Sequence, residues 1–438
     1  MNTGRRSFLA YLATSVPALN VLGCARPAAP VEVRHVPADL GTWDGVRRQF
    51  PLDPSWIHLA GFLLASHPQP VRDAIERHRR GLDENPALYL HEQEHAGEAN
   101  VREAAARYMG VDPAEIALTD STTMGLGTLY QGLPLASGQE ILTTTHDHFS
   151  THESLRLSAE RAGATVRKIP LYDEPALATP AAMVDAIARA ITKATRVVAI
   201  TWVHSGTGVK TPVRAIADAV AKANAGREER DRAFLCVDGV HGFGVESVPV
   251  GELGCDFFVA GCHKWLFGPR GTGVVWGRKD LWPLVRPSIP AFTAEAWTPW
   301  LKGSPPAAAS AAVMTPGGFH SFEHRWALDA AFAFHQSIGV GRVAARIREL
   351  NRQCKEGLAA MKHVVLHTPR GDEPSAGIVT FEVAGLAPKA VVERLAANKI
   401  MASTTPYATS YARVAPGLLN SPTEVDAVLR RIRELASV

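Results

Sequence analysis

Short apolar runs alternate with longer stretches of helical spacing through the middle of the chain. Ile141 to Thr145 reads as a strand, Ser150 to Ala162 as a helix, Ala164 to Pro170 as a strand and Pro180 to Thr192 as a helix. Arg196 to Val203 and Phe234 to Val237 are again strand-like, with helical spacing from Val213 to Asn224 between them. Upstream, Pro70 to Leu82 and Asn100 to Met109 carry the helical period. Strands that alternate with helices predict βαβ units, hence a mostly parallel central sheet with helices on both faces.

The alternation then breaks. Gly277 to Thr315 is rich in Pro and Trp and includes an Ala/Pro/Ser stretch from Ser304 to Ala312. This composition predicts a long loop, placed over the mouth of a cleft. A second unit starts near Phe322. It holds a long helix (Val343 to Met361), strand-like Val364 to His367 and Gly377 to Val383, a helix over Lys389 to Asn398, a strand near Tyr411 to Val414 and a last helix over Pro422 to Leu435. The expected organisation is a leader at 1–30, a linker or arm at 31–69, a large domain at 70–315 and a small α/β domain at 316–438.

The 438 residues allow two domains with cores of their own. Hydrophobic content of 46% and charged content of 20% fit a soluble globular enzyme. The net charge of +3 comes with no basic tract, which argues against a nucleic-acid partner. The five cysteines show no CxxC pair and no metal spacing, and Cys236, within a strand-like run, reads as a buried thiol.

The stretch most specific for chemistry runs from residue 233 to 276. One apolar run ends in Asp238, and another, Asp256 to Ala260, leads into Gly261-Cys262-His263-Lys264. A glycine-rich turn, Gly268-Pro269-Arg270-Gly271-Thr272-Gly273, enters a third apolar run. Asp238 and Lys264 thus both stand at carboxyl ends of strands, where open α/β sheets bind ligands. Alone, each is an ordinary strand-end residue. Together they are what pyridoxal phosphate requires: a carboxylate for a protonated pyridine nitrogen and a lysine able to bond an aldehyde carbon.

The pattern D-G-x-H, G-x-H-K, G-P-x-G-x-G is carried here by Asp238, Gly239, His241, Gly261, His263, Lys264, Gly268, Pro269, Gly271 and Gly273. It resembles the aminotransferase class V family of fold-type I pyridoxal-phosphate enzymes, over roughly residues 45 to 438. That family includes aminotransferases, cysteine desulfurases, kynureninases and isopenicillin N epimerase. The resemblance implies the fold-type I transferase architecture, with a mostly parallel sheet and a small α/β C-terminal domain. It also implies a small-molecule amino substrate and a homodimer.

The resemblance also assigns roles. Lys264 would be the catalytic lysine, bound to the cofactor and moving the substrate's alpha proton. Asp238 would face the pyridine nitrogen. Thr122 and Thr123 would hold the phosphate, with Ser121 where the family usually has Gly; Ser and Thr are also ordinary N-caps. His263 would lie near the phosphate, although strand alternation points it to the opposite face from Lys264. In Thr145-His146-Asp147-His148-Phe149 the ring-stacking aromatic would be Phe149, with His148 the alternative. Ser205 or His204 would bond the phenolic oxygen, and His241 would lie on the same side of the ring. Arg413 would bind the substrate's carboxylate through its planar guanidinium. The spacing of His146, His148 and His152 raises a metal site, for which no further ligand is implied, so no metal is expected.

Two departures matter. Cysteine desulfurases carry a nucleophilic cysteine shortly before this arginine, and residues 398 to 411 contain none. Thr315 to Arg325 lacks the Gly-Thr that many relatives offer to the partner subunit's phosphate, leaving His320 or Ser321 as stand-ins. Transamination is the leading chemistry, since it needs only these parts. Epimerisation, carbon–sulfur cleavage and oxidative decarboxylation use the same ones.

The leader reads as a targeting segment. Thr3-Gly4-Arg5-Arg6-Ser7-Phe8-Leu9 resembles a twin-arginine export signal, and the apolar stretch Leu9 to Leu22 is interrupted by Pro17. The expectation is a periplasmic protein carried folded, cofactor in place, by the twin-arginine translocase. Val21-Leu22-Gly23-Cys24 resembles a lipoprotein cleavage box, which would anchor the chain through Cys24; soluble release near Ala25 to Ala29 is the alternative. With this leader, Thr315 to Ala327 and the run His263 to Gly273 also resemble an exported class V enzyme that modifies a siderophore side chain.

Overall fold

A computed structural model describes residues 40–306 and 308–435. The expectations for Arg5, Arg6 and Cys24 lie outside the described residues. The strands in chain order are β1 (Ile57–His58), β2 (Ile116–Thr119), β3 (Glu140–Thr144), β4 (Thr165–Ile169), β5 (Thr195–Thr201), β6 (Phe234–Asp238), β7 (Phe257–Gly261) and β8 (Gly273–Gly277). They continue as β9 (Val364–Leu366), β10 (Val379–Val383), β11 (Ile400–Met401), β12 (Ser403–Thr404) and β13 (Ala412–Val414).

Seven strands form the main sheet in the order β2-β8-β7-β6-β5-β3-β4. All neighbours from β4 to β7 are parallel, and β8 runs antiparallel to both β7 and β2. The apolar strands β5, β6 and β7 are buried along their whole length, as central strands covered on both faces must be. β4, with Arg167 and Lys168, is half exposed and forms an edge. Side chains alternate across the sheet. Val197, Ala199, Cys236 and Val259 pack under Leu126, Leu129, Leu155 and Ala159 of the helices Thr122–Gly132 and Phe149–Ala162. The helix Val213–Asn224 packs against β6. The expected α/β architecture is thus the observed one. Chain order reverses between β3 and β5, and the loops at the carboxyl ends of β3, β5, β6 and β7 open on one side, where such sheets bind ligands.

The second sheet, β12-β13-β10-β9, is antiparallel and packs against the helices Val340–Ala359 and Pro422–Glu434. Two features there differ from the sequence reading. Residues 40–69, expected as linker or arm, are folded in: β1 pairs in parallel with β11, Ile57 opposite Ile400, and Leu59 enters the small-sheet core beside Phe381, Val391 and Val425. A two-residue strand is too short to show alternation, so the pattern gave no signal. The helices Phe322–Trp326 and Leu328–Ile338 pack on the helices Gln69–Glu84 and Pro86–Met109 rather than on the small sheet.

The Pro/Trp-rich stretch holds two short helices, Ala294–Lys302 and Ala311–Met314. Pro299 inside the first hides its helical period. None of the described residues in 277–315 lines the cavity that contains Lys264 and Asp238, so the expectation of a loop over its mouth is not met there.

Leu59 is 1% exposed. Leu59→Ala should therefore destabilise the protein by about 3 kcal/mol, within the range for buried Leu truncations. Leu64→Ala, at a position 53% exposed, should change stability by less than about 0.5 kcal/mol. Denaturant midpoints of the two variants would check this; equal effects would mean the arm is not part of the core.

Candidate active site

The carboxyl ends of the central strands surround a cavity of about 170 Å3. Thr122, Thr123, Ser205, Asp238, His241, His263, Lys264 and Arg413 all line it. Phe149 does not. It opens the helix Phe149–Ala162 and is 72% exposed, whereas His148, the N-cap one residue earlier, faces the cavity. Of the two rings the sequence offers for this place, the one that faces the cavity is therefore the alternative, His148. The cap geometry gives the reason: His148 Nδ1 accepts from Ser150 N at 3.2 Å and meets Ser150 Oγ at 2.8 Å, which turns the imidazole inward. Asp147 fixes the same turn, its Oδ2 accepting from Thr143 Oγ1, Thr144 N and Thr144 Oγ1.

Lys264 follows β7 through a tight turn closed by Gly268 N to Cys262 O at 2.8 Å. Phe267 in that turn has φ of 59°, a left-handed conformation costly for a bulky residue. Its ring is held edge-on against Phe50 at 4.8 Å, so burial sustains the strain. Burial pulls the Lys264 amine down from its ordinary value to about 8; Asp238 opposes this and Arg413 adds to it. His241 Nε2 lies 3.3 Å from Lys264 Nζ.

Asp238 ends β6 and is 2% exposed. Its Oδ1 accepts from Val240 N and its Oδ2 from Thr151 Oγ1, both at 3.2 Å. Burial lifts its carboxyl to about 6, against the downward pull of the Val240 amide and of Lys264. No other carboxylate lines the cavity among the described residues. A cation placed against Asp238 would compensate that burial.

An anion site lies at the start of the helix Thr122–Gly132, where first-turn amides have no partner within the helix. Ser121 caps it through Met124 N at 3.1 Å. Thr122 Oγ1 accepts from Gly261 N at 2.8 Å, tying the helix start to the strand that carries Lys264. A Cβ on Gly261 would sit 2.9 Å from that oxygen, so the approach requires glycine. His263 lines the cavity too, against the simple strand-alternation expectation, because β7 ends at Gly261 and the backbone has already turned. Its Nδ1 is buried with no protein partner among the described residues. A phosphate fits these groups, a protonated ring nitrogen fits Asp238, and an aldehyde carbon fits Lys264.

Arg413, on β13, is 4% exposed. Nε donates to Ser403 Oγ at 2.8 Å and Nη1 to Ser205 O at 2.7 Å, and the guanidinium lies over Phe62 at 4.6 Å. These contacts aim its far edge into the cavity. Burial lowers it to about 10. Of the two candidates after β5, Ser205 reaches the cavity and His204 does not: His204 is buried, bonded to Tyr172 Oη at 2.9 Å, and pushed by burial to about 3. The nitrogens of the three spaced histidines serve different neighbours: His146 Nε2 accepts from Leu171 N and His152 Nε2 bonds Thr144 O.

Tyr407 is a cavity residue that the sequence reading missed. It lies on the loop between β12 and β13, closed at its base by Thr405 and Tyr411, and its hydroxyl meets Ser205 Oγ at 2.6 Å. Its ring rests on Gly206, where a Cβ would be 2.9 Å from it. Burial raises the phenol above its ordinary range. Pro406-Tyr407 in a polar loop just ahead of the Arg413 strand was the available signal.

Asp238 yields a pH test. Its folded value, about 6, lies above its ordinary 3.8. Its contribution to stability is therefore fully present below about pH 4 and is lost as pH rises through 6. At roughly 1.4 kcal/mol per unit the loss is about 3 kcal/mol. Apoprotein Asp238→Asn should thus gain stability over wild type by up to that amount between pH 4 and 7, while losing cofactor affinity at least tenfold. Melting curves against pH would show it; a gap that does not widen would mean Asp238 is not buried as a charge.

The aminotransferase class-V family model matches residues 65–426. Isopenicillin N epimerase of Streptomyces clavuligerus is 26% identical over 349 residues, 78% of this chain and 84% of that protein. A probable cysteine desulfurase of Halalkalibacterium halodurans is 24% identical over 410 residues, 86% of this chain and 92% of that one. Among solved structures, the cystine C-S lyase C-DES with its product cysteine persulfide superposes with a TM-score of 0.79 at 23% identity, covering 88% of this chain and 99% of that chain. A C-DES variant with glycine covalently linked to its pyridoxal-phosphate cofactor gives 0.78. With the family model spanning most of the chain and the cofactor's contact groups gathered in one cavity, the protein belongs to aminotransferase class V and is a pyridoxal-phosphate enzyme.

Proposed function

We propose that this enzyme acts on the amino group of an amino acid or an amino-acid-derived metabolite, a siderophore side chain included, and that its chemistry is amino-group transfer. The observation that carries this reading is the make-up of the cavity. One buried amine, Lys264, and one carboxylate-binding group, Arg413, share it, and the loop where desulfurases present a thiol presents the phenol of Tyr407.

Pyridoxal phosphate, when bound, supplies an electron sink for charge left on a carbon as a bond to it breaks. The chain's residues do the rest. Asp238 would hold the ring nitrogen's proton, and Thr122, Thr123 and His263 the phosphate. His148 would lie against the ring, and Ser205 would donate to its oxygen. Arg413 orients a carboxylate. Lys264, about half neutral at pH 8, can take a proton from the substrate's alpha carbon and return it.

Epimerisation is the second reading, favoured by Tyr407 as another proton-bearing group in the cavity and by the epimerase relative. Turnover of candidate amino donors in D2O, followed by mass spectrometry, separates the two. Amino transfer yields a carbonyl product and an aminated cofactor. Recovery of inverted, alpha-deuterated substrate with no carbonyl product would replace it by epimerisation. In either case Lys264→Ala should abolish turnover; activity within about tenfold of wild type, roughly 1.4 kcal/mol of barrier, would remove Lys264 from the chemistry.

We propose further that the chain is exported to the periplasm by the twin-arginine translocase and works as a homodimer. The leader motif at Arg5-Arg6 supports export. An exposed aromatic patch, Phe292, Trp297, Trp300 and Phe319, supports self-association. The cofactor's groups come from segments far apart in sequence, so only a folded chain holds it, and a route for folded proteins is the one that delivers it loaded. Replacing Arg5 and Arg6 by Lys should leave loaded enzyme in the cytoplasm. Mature enzyme still reaching the periplasm, measured by fractionation, would mean the leader has been misread.

A further inference from the structure

Behind Lys264 lies a contact pair outside the roles assigned so far. Trp265 Nε1–H donates to His241 Nδ1 at 3.2 Å, and the other nitrogen of the same ring, Nε2, faces Lys264 Nζ at 3.3 Å. His241 is 5% and Trp265 6% exposed. Burial, together with the cations of Lys264 and Arg413 and the neighbouring His148 and His263, holds His241 in its neutral form. A neutral imidazole carries one proton. An indole N–H can only donate, so the nitrogen it points at must be the bare one. The proton therefore sits on Nε2. A donor at Nε2 then meets Lys264 productively only if Nζ offers a lone pair, that is, as a free amine and not as an ammonium.

We propose that Trp265 is a positioning residue: its indole N–H fixes the tautomer of His241, and His241 in turn holds Lys264 as the neutral amine, the form that can act as a nucleophile. The inference rests on the reading of Lys264 as the cofactor-bonding lysine. The opposite tautomer would set two N–H groups against each other in a buried site and leave one without an acceptor. The indole is not free to swing away. It stacks on Phe62 at 6.3 Å, and its six-membered ring lies so close to Gly377 that a Cβ there would be 2.9 Å away. Gly377 stands just ahead of β10, so the small sheet itself wedges the tryptophan against the histidine. Lys264 then depends on its very next neighbour through a third residue that reaches it from the loop after β6.

Trp265→Phe keeps the ring and removes the N–H. Apoprotein labelled with 15N-histidine reports the tautomer by NMR, with the His241 signals identified by their loss in His241→Gln. Wild type should carry the proton on Nε2, and Trp265→Phe should shift to a mixture or to Nδ1. The second readout is the rate at which apoprotein takes up pyridoxal phosphate, followed by absorbance. It should fall about tenfold at pH 7 in Trp265→Phe, the effect of roughly one pKa unit on Lys264. The gap should shrink to about twofold near pH 9 and close above about pH 10, where Lys264 is neutral without help. A merely structural role would not be repaired by base. A wild-type proton on Nδ1 overturns the proposal with no variant needed. So does an unchanged tautomer in Trp265→Phe, or a changed tautomer with unchanged uptake. If Lys264→Ala still produces the wild-type absorbance, it is the reading of Lys264 that fails, while the tautomer result stands by itself.

Discussion

The cost of burying charge governs this molecule. Asp238 ends β6 and Lys264 follows the neighbouring β7, in the middle of a sheet covered on both faces, and burial moves both toward neutrality: the acid to about 6, the amine to about 8. Each ion is poorly solvated, and each is only partly compensated by the other. A ligand that brings a cation to Asp238 and an electrophilic carbon to Lys264 answers both deficits. The remaining cavity groups follow the same logic. His263 offers a buried nitrogen with no partner among the described residues, and a helix start offers open amides, a set of groups that suits an anion.

Much of this was legible in the chain because it rests on short-range chemistry. The alternation from Ile141 to Val237 predicted the parallel strands, since a strand buried on both faces must be apolar throughout. Asp238 and Lys264 were readable because strand-end position and residue type together specify a role. What was not legible depended either on local cap and helix geometry or on chain segments distant in sequence. Phe149 and His148 are adjacent, and only the cap formed with Ser150 decides which ring turns inward. Tyr407 meets Ser205 across 202 positions, and no local pattern reports that. β1 has two residues and no period, so its pairing with β11 appears only when the fold is built. Pro299 concealed a helix by the rule that usually marks a loop.

The resemblance to cysteine desulfurases departs at one place that bears on chemistry. The scaffold, the lysine and the arginine are held in common by resemblance, while the loop from Thr405 to Tyr411 presents a phenol and no thiol. A sulfur nucleophile and a phenol differ in what they do to a substrate. One attacks a soft atom and carries it away; the other exchanges a proton and holds a hydrogen bond. The loop that presents this phenol is pinned at its base by Thr405 and Tyr411.

The pairing of Ile57 with Ile400 has a temporal side. The strand nearest the amino terminus is among the first parts of the chain to be made, yet its partner is made close to the end. Until residue 401 has been synthesised, Ile57 has no strand to pair with, although much of the core that Leu59 enters, from Leu350 to Leu395, is already made. The strand pair that Ile57 enters is thus closed late in synthesis. Order at Ile57 and His58 therefore reports that the chain has been made at least as far as residue 401.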